Sequence, residues 1–265
     1  MNKNTDNIFA EERKRMIVNE VNKRYKITVP QLCDLFMVSP ATIRNDLRDL
    51  ESLGLLKRTH GGAIKNNEQT NFEPNSLEKE IANVKQKSDI AQAAVRFVCE
   101  GDTIILDTGT TIYEFSKQLK NVKNVTVVTN DLQTALYLEK ETPVSVILVG
   151  GLVRKGFHCA VGARTLASLE GLHVDKAFIA ANGVSTTHGV TTPNIEISKV
   201  KELFIQMANE VYLLADSSKL GKTSFVRFTD LKNIDVLITD EGISQNFLQE
   251  LRSMDVDVIV TADNN

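Results

Sequence analysis

The stretch from Leu106 to Phe115, LDTGTTIYEF, combines residue types that bind phosphate groups. It follows an apolar run typical of a buried strand, and the apolar spacing that resumes after it is typical of a helix. Gly109 would allow close approach of the backbone, while Thr110 and Thr111 offer hydroxyl and N–H groups at a helix start, where the helix dipole favours an anion. Because the stretch matches neither the P-loop nor the GxGxxG pattern, it predicts a site for a monophosphate on a small body.

Small and polar residues also follow other apolar runs of the sequence. These runs lie at 103–106, 125–129, 144–150, 176–181, 211–215, 236–239 and 256–261, and helical text separates most of them. The alternation predicts a doubly wound, mostly parallel α/β domain whose sheet is covered on both faces. In such sheets ligands bind beyond the carboxyl ends of the strands, so the residues that follow each run are the candidates.

Small or polar residues follow five successive runs, which is more than loop chemistry alone explains. The candidate ligand-binding residues at these ends are Asp107, Gly109, Thr110, Thr111, Thr129, Asn130, Gly150, Gly151, Asn182, Gly183, Asp216 and Lys219. Lys201 and Lys219 could neutralise a phosphate or bind hydroxyls. Asp107, Glu196 and Asp216 are natural acceptors for sugar hydroxyls, although a plain surface charge explains Glu196 equally well.

Residues 1–65 differ in charge from the rest of the chain. They hold 12 Lys+Arg against 8 Asp+Glu, a balance of +4, whereas residues 66–265 hold 19 against 26, a balance of −7, and the two sum to the net charge of −3. A basic module joined to a larger acidic one predicts that only the first meets a polyanion. The polar, aperiodic residues 66–75 are expected to link a domain at 1–65 to one at 76–265.

The order of elements in the basic module is that of a winged helix-turn-helix. An amphipathic helix is expected over residues 11–25, followed by a short extended piece and by a second helix that begins near Pro30. The side chains expected on the buried side of that second helix are Leu32, Cys33, Leu35 and Phe36. Met37 and Val38 then fill a tight turn, and Ser39 caps the next helix.

The third helix presents polar groups suited to DNA. Ile43, Leu47 and Leu50 recur at spacings of four and three, so they face the core and leave the intervening side chains outward. Arg pairs well with guanine and Asn with adenine in the major groove, and the two-stranded wing expected after Gly54 would meet the DNA backbone. The residues expected to contact DNA are Ser39, Thr42, Arg44, Asn45, Arg48, Lys57, Arg58 and His60.

The stretch from Val38 to Ala63 resembles the DNA-binding signature of the DeoR-type bacterial transcriptional regulators, in its SxxTIRxDL and RxHGG motifs. Asn45 stands where many members carry a second Arg. The later motifs GDTIILDTGTT, VVTND, GVTTPNIEISKVK and LLADSSKLGKTSF are similar to the sensor domain of the same regulators. The resemblance implies a sensor fold similar to ribose-5-phosphate isomerase, a phosphorylated sugar or sugar-derived effector, and a homo-oligomer such as a dimer or tetramer.

The leading interpretation is a regulator, most simply a repressor of a carbohydrate-use operon, that binds double-stranded operator DNA and responds to a sugar phosphate. The alternative is a sugar-phosphate isomerase with an accessory DNA-binding module, in which Asp107, Glu196 or Asp216 would move the proton. A DNA-binding architectural protein without a ligand would leave the five polar strand ends unexplained. We therefore predict no catalytic residue and no cofactor.

Composition excludes several other classes of protein. At 265 residues, 42% apolar and 25% charged, the chain is expected to be soluble, to bury a good core and to divide into two domains. No segment approaches the roughly 18 apolar residues of a membrane span, so no membrane partner and a cytoplasmic location are expected. Cys33, Cys99 and Cys159 lack CxxC spacing and the histidines form no HExxH pattern, so neither disulfides nor a metal site is predicted.

Overall fold

The computed structural model describes residues 10–24, 26–53, 55–64 and 73–261, and the chain divides into two compact units, Met1–Pro74 and Asn75–Asn265. Tyr25, Gly54 and residues 65–72, the greater part of the expected linker, lie outside the described residues. Within the described ranges, no helix combines the length and the apolar character needed to cross a membrane.

The first unit is a winged helix-turn-helix. Its elements are α1 (Ala10–Arg24), β1 (Lys26–Thr28), α2 (Val29–Phe36), α3 (Pro40–Ser52), β2 (Lys57–Thr59) and β3 (Gly62–Ile64). The expected two-stranded wing gains a third strand, since β3 pairs antiparallel with both β2 and β1. The short extended piece after α1 thus joins the sheet.

Local capping sets the ends of the two helices of the helix-turn-helix. The Thr28 side chain and Gln31 form a capping box at the start of α2, and the Ser39 hydroxyl accepts a hydrogen bond from the Thr42 N–H at the start of α3. Met37 closes α2 in the left-handed conformation, with φ of 53°. The expected burial of Leu35 is wrong: it is 45% exposed, because the eight-residue helix buries Val29, Leu32 and Phe36 at spacings of three and four.

The second unit is built on a seven-stranded parallel sheet. Its strands are β4 (Thr103–Leu106), β5 (Thr126–Thr129), β6 (Ser145–Leu148), β9 (Val174–Ala180), β12 (Ala208–Leu214), β14 (Val236–Asp240) and β15 (Asp257–Thr261). They lie in the order β15-β14-β12-β9-β4-β5-β6, and every neighbouring pair is parallel. All seven apolar runs of the sequence form these strands, which confirms the predicted doubly wound domain.

Helices cover this sheet on both faces, and small antiparallel pieces are added at its edge. The helices are α4 (Ser76–Glu80), α5 (Val84–Ala94), α6 (Thr110–Ser116), α7 (Leu132–Glu141), α8 (Ala163–Leu169), α9 (Ile195–Gln206) and α10 (Gln245–Ser253). The added strands are β7 (Leu152–Arg154), β8 (Cys159–Val161), β10 (Gly183–Ser185), β11 (Gly189–Thr192) and β13 (Val226–Thr229). Ile105 packs in one core while Ile104 and Leu106 pack in the other, as expected of a sheet buried on both sides.

The pattern of residues 76–98 predicts one helical stretch, and the structure interrupts it. α4 ends at Glu80, α5 begins at Val84, and a 3₁₀ turn, Val95–Phe97, follows α5. Asn83, the N-cap residue of α5, has a left-handed backbone with φ of 52°, a conformation that Asn tolerates better than most residues.

Candidate DNA-binding surface and ligand site

A buried ion pair fixes helix α3 against α1. The Arg13 guanidinium donates from Nε to Asp46 Oδ2 at 2.7 Å and from Nη2 to Asp46 Oδ1 at 3.2 Å. Both side chains are at least nine-tenths buried, and Asp46 raises the pKa of Arg13. Sequence reasoning missed this pair, although the position of Asp46 between the core residues Ile43 and Leu47 was a signal.

Helix α3 leaves its polar row open to solvent. Arg44, Asn45 and Arg48 are exposed, and Thr42 is half-buried. Ser39 is also exposed, but its hydroxyl already accepts from the Thr42 N–H at 3.1 Å and lies 2.9 Å from the Thr42 hydroxyl. The two guanidinium groups and the amide therefore form the part of this surface best suited to base edges.

The wing carries its cations beside this helix. Lys57 and His60 are exposed, while Arg58 is half-buried. The Arg58 N–H donates to Glu51 Oε1 at 2.8 Å, and its guanidinium lies 3.7 Å from Glu51 Oε2. A Cβ on Gly62 would lie 2.0 Å from the Ile27 carbonyl oxygen, so the second Gly of the RxHGG motif is required by the pairing of β3 with β1.

In the sensor unit, the order of the strands reverses between β4 and β9. From β4 the chain moves outward through β5 and β6, then returns to β9 and continues in the other direction. Asp107 follows β4 at this switch point and is fully buried. In open parallel sheets this is where ligands bind.

Asp107 and Lys201 are paired with each other at the switch point. The Lys201 ammonium, from α9, donates to Asp107 Oδ2 and, at 2.9 Å, to the Ala180 carbonyl. The Ala180 N–H also donates to Asp107 Oδ2, at 2.9 Å. Asp107 Oδ1, by contrast, has no hydrogen-bond partner among the described residues. A buried carboxylate oxygen without a donor is costly, and a hydroxyl of a ligand would satisfy it.

The DTGTT turn leads from this carboxylate into helix α6. Gly109 has φ of 128°, a conformation that L side chains rarely adopt, and a Cβ there would find only the Ala180 Cβ, 3.8 Å away. Glycine is thus required by the backbone conformation, and the space beside it is open. Thr110 is half-buried and Thr111 is buried, and the Thr108 hydroxyl donates to Asp131 Oδ2 at 2.7 Å.

The end of β5 contributes a second group of buried polar atoms. The Asn130 amide donates to the Ala160 carbonyl at 2.8 Å, and its Oδ1 has no partner within the described ranges. The Thr129 hydroxyl accepts from the Asp131 N–H at 3.1 Å, and Asp131 caps α7. Burial raises the pKa of the Asp131 carboxyl, opposed by hydrogen bonds from Thr108 and Thr134.

Other candidate residues at the strand ends already have structural roles. A Cβ on Gly151 would lie 1.9 Å from the Thr165 hydroxyl, and one on Gly183 would lie 2.6 Å from the Lys222 carbonyl oxygen. Both glycines therefore allow tight packing within the protein. Asn182 Oδ1 accepts from the Thr192 hydroxyl at 3.2 Å. Gly150 is exposed, as is Glu196 in the first turn of α9.

The end of β12 holds a further buried carboxylate. Asp216 is 2% exposed, and its Oδ1 accepts from Asn83 Nδ2 at 2.9 Å and from the Ser218 N–H at 3.0 Å. Lys219 is half-buried in the 3₁₀ turn Ser217–Lys219 that follows. Asn83 was not foreseen from the sequence, because it lies 133 positions from Asp216.

Lys87 is a second residue that sequence reasoning missed. Its ammonium is buried and donates to the Lys79 carbonyl and, at 2.6 Å, to the Ala82 carbonyl. Burial lowers its pKa to about 8, against an attraction from Asp216. The signal was its position on the apolar face of α5, three and four residues before Ile90 and Ala91.

Comparison with known proteins agrees with this architecture. The family model of the DeoR-like helix-turn-helix domain matches residues 13–69, and that of the DeoR C terminal sensor domain matches residues 82–241. The chain belongs to the DeoR family of transcriptional regulators, and its first unit is a DNA-binding domain.

Two proteins similar to this chain over most of its length are regulators. GolR, an HTH-type transcriptional regulator of Listeria innocua, is 36% identical over 90% of this chain and 93% of its own. The lactose phosphotransferase system repressor of Streptococcus mutans is 37% identical over 87% of this chain and 92% of its own. A solved ribose 5-phosphate isomerase A from Methanocaldococcus jannaschii matches 52% of this chain and 55% of its own, with 22% identity and a TM-score of 0.39. The relatives are regulators over nearly their whole length, so the alternative of an isomerase is not supported.

Proposed function

We propose that this DeoR-family regulator represses a carbohydrate-use operon in the cytoplasm and that a phosphorylated sugar, bound at the carboxyl ends of the parallel strands, changes its affinity for DNA. The observation that carries the proposal is the switch point, where Asp107 presents a buried carboxylate oxygen that has no donor among the described residues, beside the open turn at Gly109. The name of the lactose phosphotransferase system repressor supports a link to sugar uptake.

Each part of a sugar phosphate has a matching group here. Asp107 Oδ1 and Asn130 Oδ1 are acceptors that suit sugar hydroxyls, since both are buried and lack a donor among the described residues. The N–H groups of Thr110 and Thr111 at the start of α6 suit the phosphate. Asp107 already pairs with the Lys201 ammonium, so Lys219 is the better candidate to balance the phosphate charge.

A thermal-shift screen tests this ligand class. The panel is glucose 6-phosphate, fructose 1-phosphate, fructose 6-phosphate and ribose 5-phosphate, with inorganic phosphate and the free sugars as controls. A ligand at a hundredfold excess over its dissociation constant stabilises the fold by about 2.7 kcal/mol, which the melting temperature reports. Equal shifts with a sugar phosphate and its free sugar, or no shift with any member, would contradict the proposal.

The regulator is further proposed to act as a homo-oligomer, a dimer or a tetramer, that reads repeated half-sites, because one winged module buries little surface on DNA. The edge of the sheet at β6 offers the surface. Exposed apolar side chains, 37–68% accessible, gather on β6, β7 and α7, and we call them the edge patch: Leu132, Leu136, Ile147, Leu148, Leu152 and Val153. An apolar edge strand without a charged residue invites pairing, and a second copy of the chain is the proposed occupant, because a two-fold dimer buries the same patch on both copies.

Charge also favours a second copy at this patch. Residues 66–265 have a balance of −7, from 19 Lys+Arg and 26 Asp+Glu, so two copies repel over most of this part but not at the uncharged edge patch. Leu136→Glu and Leu152→Glu should reduce the mass measured by sedimentation, whereas Met254→Glu, at an exposed apolar residue near the opposite edge strand, should not. Unchanged mass in both edge-patch variants would exclude the surface.

A further inference from the structure

Residues Asn75–Asn83 cross the carboxyl end of the sheet, and we call this segment the strap. At one end the Ser76 N–H donates to the Gly156 carbonyl at 3.0 Å, in the turn between β7 and β8. Glu80 then accepts from the Gln133 amide of α7 at 3.2 Å. At the other end Asn83 donates to Asp216, after β12.

The strap therefore spans the switch point. Helix α7 follows β5 and Asp216 follows β12, and these two strands flank β4 and β9 in the order β12-β9-β4-β5. Because the strands are parallel, both contacts lie at the carboxyl edge, where the ligand is expected. The strap also continues directly from Pro74, the last residue of the DNA-binding unit.

The contact between Asn83 and Asp216 is the closing point of the strap. Asn83 Nδ2 donates to Asp216 Oδ1 at 2.9 Å and to the Ser218 hydroxyl at 3.2 Å. Asn83 holds a left-handed backbone in making this contact. Asp216 is a buried carboxylate at a strand end, the same chemical setting as Asp107, so its oxygen is an acceptor that a sugar hydroxyl would use.

We propose that the Asn83 amide occupies the position on Asp216 that a ligand hydroxyl would take. Ligand binding and closure of the strap therefore exclude each other. This inference rests on the proposed sugar-phosphate site. The ligand replaces the Asn83 amide on Asp216, the strap loses its contact on the β12 side, and the segment that leads to the DNA-binding unit is released. Because the two events compete for one acceptor, the coupling between ligand and strap is reciprocal.

Two matched variants test the exchange. Asn83→Gly removes the amide and keeps the left-handed backbone available. Asn124→Gly is the control. Asn124 is also left-handed, with φ of 57°, and its amide donates to Glu100 at 2.5 Å. Glu100 precedes β4 and Asn124 precedes β5, so this contact lies at the amino ends of the strands, opposite to the proposed ligand site. The cost of losing an amide–carboxylate bond at a left-handed residue is thus common to the two.

Asn83→Gly should bind the sugar phosphate that gives the largest shift in the panel about tenfold more tightly, as expected when one competing hydrogen bond to a charged group is removed. Without ligand, its affinity for an operator selected from random DNA should change in the direction that the sugar phosphate produces in the wild type. Asn124→Gly should match the wild type in both titrations. In the wild type, the same sugar phosphate should speed hydrogen exchange of the amides in residues 76–83.

The outcomes separate this inference from the proposed function. If no sugar phosphate binds the wild type, the proposed function fails, and the inference with it. If a sugar phosphate binds but Asn83→Gly behaves like Asn124→Gly, or exchange of the strap slows on binding, the inference alone is overturned. Tighter binding by Asn83→Gly together with a ligand-like change in operator affinity supports it.

Discussion

Helix α3 leaves Arg44, Asn45 and Arg48 exposed on a surface, whereas the sensor unit buries Asp107, Lys201 and Asp216 against partners from distant elements. DNA is large and must be met at a surface, so the first set needs only a rigid helix behind it. A small ligand must be surrounded, so the second set is held by contacts that stabilise the fold even before a ligand arrives. Substitutions in the first set should therefore weaken DNA binding without loss of stability, whereas substitutions in the second set should lower stability as well.

The largest effect is expected at Lys201. Lys201→Met leaves the buried Asp107 carboxylate without its cation, which should lower the free energy of unfolding by roughly 3–5 kcal/mol. Urea unfolding of the full chain measures it. The double variant Asp107→Asn/Lys201→Met should recover much of the loss, since no buried charge remains. A single Lys201→Met variant as stable as the wild type would mean that the ion pair between Lys201 and Asp107 does not stabilise the fold.

The next effect is a loss of ligand response without a loss of DNA binding. Gly109→Asp adds a carboxylate where the phosphate is expected, in a backbone conformation that L residues rarely adopt, so the sugar-phosphate shift should disappear while operator affinity remains. Gly109→Ala carries the same strain without the charge and should retain part of the shift. A full sugar-phosphate shift in Gly109→Asp would mean that the phosphate does not bind at this turn.

The recognition helix should show the reverse pattern. Arg44→Ala should cost roughly 1–3 kcal/mol of specific operator binding with an unchanged melting temperature, because the side chain is exposed. Lys57→Ala should weaken binding to all sequences alike and reduce the slope of affinity against salt by about one. Filter binding at several salt concentrations distinguishes the two, and equal losses on operator and random DNA in Arg44→Ala would reassign its contact to phosphate.

The sequence predicted what depends on local pattern and missed what depends on distant contacts. Periodicity placed Ile43, Leu47 and Leu50 inward, and continuous apolar runs marked all seven parallel strands. It could not show that Lys201 would pair with Asp107, since the two are 94 positions apart. The sequence suggested Asp107 as an acceptor for sugar hydroxyls and Lys201 as a group that binds the phosphate or the hydroxyls, without a contact between the two.

The strap is a second region in which contacts between distant residues were not predicted from the sequence. A helical stretch is expected over residues 76–98, but in the structure it is interrupted, the Asn83 amide donates to Asp216, and the Lys87 ammonium donates to the Lys79 and Ala82 carbonyls. Asp216 is not recognisable from the residues next to Asn83, and Lys87 is marked only by its position on the apolar face of α5. The interruption of this helical stretch could therefore not be predicted from local pattern alone.

The smallest effect expected is a pH dependence that arises from this lysine. Burial lowers the pKa of Lys87 to about 8 from an ordinary value of 10.5, so between these two pH values the unfolded chain binds more protons than the folded one. Stability must then rise with pH across that window, because below it the full cost of a buried ammonium is present and above the folded pKa that cost is progressively relieved. The contribution cannot exceed about 1.4 kcal/mol per pH unit, the value for one proton.

Comparison with Lys87→Met isolates this contribution, since the other titrating groups are common to both proteins. Urea unfolding at intervals from pH 7 to pH 10 should give a difference in unfolding free energy, wild type minus variant, that is flat below about pH 8 and rises above it. The absolute stability of the variant also reflects the lost bonds to the Lys79 and Ala82 carbonyls, so only the slope is diagnostic. A difference that stays flat to pH 10 would mean that the two carbonyls keep the ammonium charged up to that pH.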